Sequence, residues 1–414
     1  MKVKFLFFFI FITAITAYGQ GGSNYSILGI GDINYDGNAS YAGLGGTAGA
    51  MPLENTINFK NPALWSLTNS TRLQAGYKFS QNYVSNDENK LFQNNGNLSG
   101  LSVIFAIDTA NKIAASMGLY PYSNVNYFSA SPFTHTESGV TVQGKTEYRG
   151  SGGLNAAYIG GSSKIISDLY IGAYIFAAFG TINSTIKNEV YGDAQSGFTY
   201  DTRIDSETYL SGLGYKAGLY YEVTDAFSLG TYYEGIPSLT AIDTTVFYRE
   251  SSQSIRKSIS DSLDFDMPPL FGFAASYKTG KFLLGADFAM QDFSNFAYKN
   301  NEKAEFINSM MFSFGIARFG NTSYDADFTD KITYSLGFAY KDLYYKVLGQ
   351  NINDMSVSLG MGIPIPRTMR LDVGIALGAR GTTENGLVRE FYGKLNVDIS
   401  IGDDWFNPFE REFE

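Results

Sequence analysis

Along FYGKLNVDISI (391–401) the odd positions are apolar or small: Phe391, Gly393, Leu395, Val397, Ile399 and Ile401. The even positions are polar: Tyr392, Lys394, Asn396, Asp398 and Ser400. Successive side chains of a strand point to opposite faces, so this segment has one greasy side and one wet side. The same period of two recurs at about 71–84, 98–108, 112–128, 152–166, 168–182, 207–223, 226–238, 267–278, 281–294, 307–319, 329–341, 353–363, 367–380 and 388–402. Fourteen such segments, each long enough to cross a bilayer as a tilted strand, predict an all-β fold, a transmembrane antiparallel β-barrel of about fourteen strands. The stretches between them alternate in character. Those near 85–97, 129–150, 187–206, 239–266 and 295–306 are long and polar and read as loops. Those at 108–112, 224–226 and 278–281 read as tight turns. One rim with long loops and one with short turns is the pattern of an outer-membrane barrel. The gap at 320–328 is too long for a short-rim turn and leaves the register there open.

Parity assigns the faces. Leu73, Ala75, Tyr77 and Phe79 fall on the lipid side of the first segment, with Arg72, Gln74 and Lys78 on the other. In the sixth, Tyr215, Ala217, Leu219 and Tyr221 face out, and Lys216 and Glu222 face in. In the thirteenth, Met369, Leu371, Val373, Ile375 and Leu377 face out, and Arg370 and Asp372 face in. A Lys or Arg on the lipid face at mid-bilayer costs roughly 2–4 kcal/mol, so charges kept on one side mark the lumen. Two roles remain open for them: lumen solvation with strand-to-strand pairing, or a path for a solute.

Composition agrees. Aromatics are 16% and charged residues only 17%, below the usual share of about 25%. The formal charge of −10 excludes a nucleic-acid partner, which needs a basic face. With no cysteine, disulfides, thiolate catalysis and cysteine metal sites are excluded. A single histidine, His135, sits in SPFTHTES, which reads as a surface loop and offers one candidate base with no serine motif beside it. The chain therefore reads as a non-enzyme without cofactor or metal. Residues 1–19, MKVKFLFFFIFITAITAYG, have a positive n-region, a short apolar core and a small-x-small end, the pattern of a cleaved signal peptide. Membrane contact then falls to strands.

Residues 20–70 lack the alternation and are glycine-rich. Asn61-Pro62-Ala63-Leu64-Trp65-Ser66-Leu67 predicts one short helix, with Asn61 as N-cap and Pro62 at its first position. Asp32-Ile33-Asn34-Tyr35-Asp36-Gly37 copies the first half of a calcium loop, but its twelfth position is Gly43 and not Glu. The readings are an Asx-rich turn or a weak calcium site. Pro121 interrupts the third segment and Pro237 falls late in the seventh. Because proline cannot donate to a ladder, each marks a bulge or a local opening of the wall.

Several segments together resemble the long-chain fatty-acid transporter family (FadL/TodX type): YSILGIGD (25–32), Asn61-Pro62-Ala63 before the first strand, GGLNAAYIG (152–160) and LYIGAYIFAAFG (169–180). The segments LGTYYEGIPSLTA (229–241), FLLGADFAMQDFSNF (282–296), GARGTTENGLVREFYGK (378–394) and DDWFNPF (403–409) resemble a divergent branch of it. The resemblance implies a fourteen-stranded barrel, 71–402, with an N-terminal hatch, 20–70, plugging the lumen. It implies that Asn61, Pro62 and Ala63 lead the hatch into the wall, and that Pro121 marks a kink through which an apolar ligand leaves sideways. No ligand-binding residues carry over. The last twelve residues, 403–414, form a C-terminal tail expected on the periplasmic side.

The function expected on these grounds is passive uptake of hydrophobic small molecules through the bacterial outer membrane, with membrane lipid and an apolar, long-chain fatty-acid-like ligand as partners. The alternative is an interaction barrel, a docking subunit of a secretion or assembly complex like the PorV-like shuttle barrels of type IX secretion, with an outer-membrane protein as partner.

Overall fold

The computed structural model describes residues 21–403 except 87–88, 138–139, 192–200, 250–253, 299–303, 324 and 366–367. The expected leader at 1–19 lies outside the described residues, as does the expected tail at 403–414 except Asp403, which is the last residue of the final strand. The wall has fourteen strands: β1 (Thr71–Ser85), β2 (Lys90–Asp108), β3 in two halves (Ile113–Pro121 and Ser123–Glu137), β4 (Val140–Ile166), β5 (Leu169–Tyr191), β6 (Thr202–Glu222), β7 (Phe227–Arg249), β8 (Ser254–Thr279), β9 (Phe282–Asp292), β10 in two stretches (Ala304–Phe306 and Asn308–Arg318), β11 (Thr333–Val347), β12 (Gln350–Ile365), β13 (Met369–Gly381) and β14 (Arg389–Asp403). Each pairs antiparallel with its sequence neighbours, and β14 closes on β1 from Arg389 opposite Ser85 to Asp403 opposite Thr71. Every segment read from the alternation is a strand of this ring.

The faces follow parity. Phe391, Ile399 and Ile401 are exposed on the outside of β14, while Tyr392, Asn396, Asp398 and Ser400 are buried inside. Leu73 and Tyr77 of β1, Tyr215, Leu219 and Tyr221 of β6, and Ile375 and Leu377 of β13 are exposed. Arg72, Gln74, Lys216 and Asp372 are buried. An exposed apolar side chain on this surface meets lipid, so the usual argument for burying it does not apply.

Among the described residues, the stretches near 85–97, 129–150 and 239–266 read as long loops are mostly strand, as are the described ends of 187–206, whereas 295–306 holds only the short strand piece Ala304–Phe306. β4 has 27 residues, β5 23, β6 21, β7 23 and β8 26, far more than the roughly 9–11 that span a bilayer. Their ends, such as TINSTIKNEVY (181–191), project beyond the lipid and are wet on both faces. Alternation disappears there although the ladder continues, from Thr181 opposite Tyr209 to Asn188 opposite Thr202. His135 accordingly lies in a strand, opposite Val142, and not in a loop. On the other rim the turns are tight, with Gly280 at φ 56° between β8 and β9. The gap after β10 keeps to that rim and holds a one-turn helix, Phe328–Lys331.

Residues 21–70 contribute no wall strand. They carry short helical turns at Asn24–Ile27, Ala39–Ala42 and Pro62–Leu67 and a two-residue bridge at Asp32–Ile33. Their contacts run round the inner face of the ring. Ala39 N–H donates to Asp398 of β14 (2.6 Å), and Ala48 and Gly49 N–H donate to Asp287 of β9 (both 2.9 Å). Thr47 meets Ser313 of β10 (3.0 Å), and Asn61 Nδ2 donates to the Leu219 carbonyl of β6 (2.9 Å). The segment therefore sits within the bore. Its Trp65 stacks on Tyr174 at 5.6 Å, and its indole N–H is satisfied by the Asn58 carbonyl (2.6 Å). Among the described residues no helix is long and apolar enough to cross a membrane.

Candidate functional site

The wall is irregular in one place where sequence had marked a proline. Below Pro121, β2 and β3 form a ladder from Asp108 opposite Ile113 to Leu101 opposite Leu119. Above it, among the described residues, Lys90–Gly100 of β2 has no ladder partner in Ser123–Glu137 of β3. Each half-edge keeps its other neighbour, β1 for β2 and β4 for β3. Proline's missing N–H and the turn at Tyr122 redirect β3, and Tyr122 N–H donates to Leu154 of β4 (2.8 Å). Pro237 behaves differently. The β7–β8 ladder shifts register opposite Met267 and then resumes on both sides, so that site is a bulge.

The gap beside Pro121 is spanned by the N-terminal segment and a few side chains. Asp32 and Ile33 pair as a short strand with Asn124 and Ser123. Gly22 N–H donates to the Asn126 carbonyl (2.8 Å), Asn34 N–H to the Tyr122 carbonyl (2.9 Å) and Asn34 Nδ2 to the Pro121 carbonyl (3.1 Å). From β2, Gln93 Nε2 donates to the Phe128 carbonyl (2.7 Å) and Asn97 Nδ2 to Asn124 Oδ1 (3.1 Å). These side-chain bonds replace a continuous main-chain ladder.

Behind the gap lies a cavity of about 180 Å³ between the N-terminal segment and the wall. Asn95, Asn97 and Leu98 of β2, and Pro121, Ser123 and Asn124 of β3, line its gap side. Its deeper lining is charged. Arg380 is clamped between Asp32 and Asp354 (both 2.6 Å), Lys60 pairs with Asp287 (3.3 Å) and Lys394 lies 3.7 Å from Asp36. Burial pushes the Asp36 carboxyl up, but Lys394, Lys78, Lys341 and Lys60 outweigh it and hold the group well below the usual carboxylate range. The oxygens of the calcium-like loop are thus taken by cations: Asp32 by Arg380, Asn34 Oδ1 by Lys78 (3.0 Å) and Asp36 by Lys394. The loop serves as an ion-paired turn.

Asn61, Pro62 and Ala63 lie on the other side of the bore. Asn61 caps the turn Pro62–Leu67 by accepting from Ala63 N–H (3.0 Å), and its amide bridges Gly49 and Leu219 carbonyls. Pro62 sits against Gly172 of β5, whose missing side chain leaves room for it. The structure does not bring this motif to the gap. Parity placed Lys78 and Lys394 on the wet side, but Lys341, Arg380 and Asp36 gave no local signal of converging on one cavity.

The family model of BamG matches residues 1–410. The chain belongs to the BamG family. No curated protein matches it. Among solved structures, the toluene transporter TodX of P. putida is 16% identical, with 91% of this chain and 100% of that one covered at a TM-score of 0.59. A FadL homologue of Pseudomonas aeruginosa is 12% identical, with 90% and 99% covered at 0.62. The monoaromatic hydrocarbon channel CymD is 14% identical, with 91% and 100% covered at 0.61. At these identities the likeness is one of fold. This BamG-family chain is an outer-membrane β-barrel of FadL/TodX-like architecture.

Proposed function

We propose that this barrel passes hydrophobic small molecules across the outer membrane without energy coupling, releasing them sideways between β2 and the upper half of β3. The observation that carries the reading is the missing ladder between Lys90–Gly100 and Ser123–Glu137, bridged by side chains and by a segment of the bore. A ladder of main-chain bonds must break residue by residue, whereas a few side-chain bonds and one docked segment separate together. In this reading residues 1–19 are a leader, 20–70 a hatch led into the wall by Asn61, Pro62 and Ala63, 71–402 the barrel and 403–414 a periplasmic tail. Pro121 marks the kink that makes the exit. The preferred solute is long-chain fatty-acid-like, with an apolar tail for the bilayer side and a polar end for the lined cavity. Named relatives in fold, a toluene transporter and a hydrocarbon channel, support a passage for apolar compounds.

A second reading is a docking subunit of an outer-membrane assembly. Membership of the BamG family and the strands that stand far beyond the lipid favour it, since tall hairpins offer partner surface that a passive pore does not need. Purification of the barrel in mild detergent, followed by native mass spectrometry, separates the two. Retained fatty-acid-like lipid at about one per barrel supports passage. A stoichiometric protein partner on a lipid-free barrel refutes passage in favour of docking.

A further inference from the structure

We propose that the end of the cavity across the bore from the wall gap is a binding site for a small neutral hydroxyl compound, an alcohol or phenol, held between the Asp287 carboxylate and the Tyr232 hydroxyl. Three buried side-chain atoms in the cavity's lining have no hydrogen-bond partner among the described residues: the Tyr232 hydroxyl, Asp287 Oδ1 and Asn396 Oδ1. Asn396 stands apart on β14. The other two share one place. Tyr232 of β7 is opposite Gly272 of β8, and Gly272 is opposite Ala289 of β9, two residues from Asp287. The Tyr232 ring lies across Gly272, where a side chain would have no room for it. From the N-terminal segment, Gly49 flanks both groups: a Cβ built there would lie 3.0 Å from Tyr232 Cε1 and 3.3 Å from Asp287 Oδ2. Asp287 is 6% exposed and Tyr232 2%, and buried polar atoms left unpaired are costly.

The chemistry of the pair selects the ligand. Asp287 Oδ2 already accepts from Ala48 N–H and Gly49 N–H (both 2.9 Å) and from Lys60 (3.3 Å), which also answers the charge. Oδ1 lacks a donor, and the phenolic O–H of Tyr232 lacks an acceptor. One hydroxyl group supplies both, donating to Oδ1 and accepting from Tyr232. A carboxylate brings no donor and sets its charge against Oδ1, so a fatty-acid head belongs elsewhere in the cavity. An ammonium meets a carboxylate whose charge Lys60 has taken. Beside the pair the lining is apolar: Tyr232 packs with Leu270 and Ala289, and Tyr35 and Met311 close on them. The whole cavity, about 180 Å³, has room for one small ring, since an apolar cavity of about 150 Å³ takes up benzene. Such a compound fits here whether or not any solute crosses the wall.

The test uses the full mature barrel in nanodiscs, with empty nanodiscs as the partition blank, and equilibrium dialysis of radiolabelled phenol, toluene and anisole. Phenol is expected to bind saturably. It should bind more tightly than toluene, its isostere without the hydroxyl, and than anisole, which has the oxygen but no donor. Tyr232→Phe removes one neutral hydrogen bond to the ligand and is expected to weaken phenol by about threefold to tenfold with toluene unchanged. A merely structural tyrosine predicts no change in that ratio. In Asp287→Asn, Ala48 and Gly49 N–H hold the amide oxygen and turn Nδ2 to the cavity, so anisole is expected to gain on phenol. Phenol preference with both shifts supports the site. Absence of saturable phenol binding overturns it, as does equal binding of phenol and toluene, or phenol affinity indifferent to Tyr232→Phe. An unchanged ratio of phenol to anisole in a folded Asp287→Asn barrel overturns it too, as does a density map at saturating phenol with an ordered water only between the two groups. If Asp287→Asn fails to show the heat-modifiable migration of a folded barrel, Tyr232→Phe decides alone.

Discussion

Gly172→Leu is the sharpest perturbation of how the segment in the bore is seated. Gly172 of β5 faces inward, and a Cβ placed there would lie 2.6 Å from the Ala63 amide nitrogen, with the Pro62 carbonyl nearer still. Ordinary contact begins near 3.4 Å, and the listener here is backbone and not a movable side-chain end, so the turn Pro62–Leu67 must retreat by most of an ångström. Overpacking of this kind costs about 1–3 kcal/mol. Retreat also threatens the Asn61 bond to Leu219 (2.9 Å) and its cap on Ala63 (3.0 Å), each worth about 1 kcal/mol. One or two kcal/mol changes a two-state population roughly 5–30-fold, so unseated molecules should become that much more frequent. Planar-bilayer recordings should show the variant opening to small ions in bursts that the parent lacks. Ala173→Leu, one residue along and on the exposed outer face, should record like the parent. Parent-like conductance for Gly172→Leu, with a folded barrel, would refute the idea that residues 20–70 close the bore from this contact.

The chain has no cysteine, so Ile33→Cys with Ser123→Cys, paired residues of the bridge across the gap, introduces a single disulfide. Oxidation should abolish uptake of a fluorescent fatty-acid analogue into proteoliposomes and reduction should restore it; equal uptake in both states contradicts a sideways exit. Arg380→Ala leaves Asp32 and Asp354 in the bore without their guanidinium, a loss of about 3–5 kcal/mol for a buried pair. It should lower the temperature at which the folded band is lost in gel-shift assays, and an unchanged midpoint speaks against the ion cluster. Leu377 is 65% exposed on the lipid face, so Leu377→Arg should cost about 2–4 kcal/mol in urea titrations of the barrel in vesicles if that position lies near the midplane. A neutral result there would place it at a rim.

The alternation around Phe391–Ile401 and its counterparts made the fourteen strands legible, because one face of each must meet lipid and the other must not. It failed where that pressure ends. Residues such as Thr181–Tyr191 are wet on both sides, so strand and loop look alike in sequence while the ladder with β6 runs on. Pro121 showed that β3 was interrupted, but nothing in Lys90–Gly100 revealed that β2 loses its partner, since pairing depends on where the kinked strand goes. Asn61 and Pro62 announced a capped turn by residue type alone. The charged cavity was half visible. Lys78 and Lys394 fell on the wet face by parity, whereas their meeting with Asp36, Lys341 and Arg380 comes from closure of the ring around the N-terminal segment.

The missing β2–β3 ladder is most directly tested by amide hydrogen exchange on the barrel in detergent. Alternate amides of Lys90–Gly100, bonded to no strand on the β3 side, should exchange far faster than those of Leu101–Ile104, which are laddered on both sides. Equal protection along the whole of β2 would mean that the wall is continuous and would remove the sideways exit.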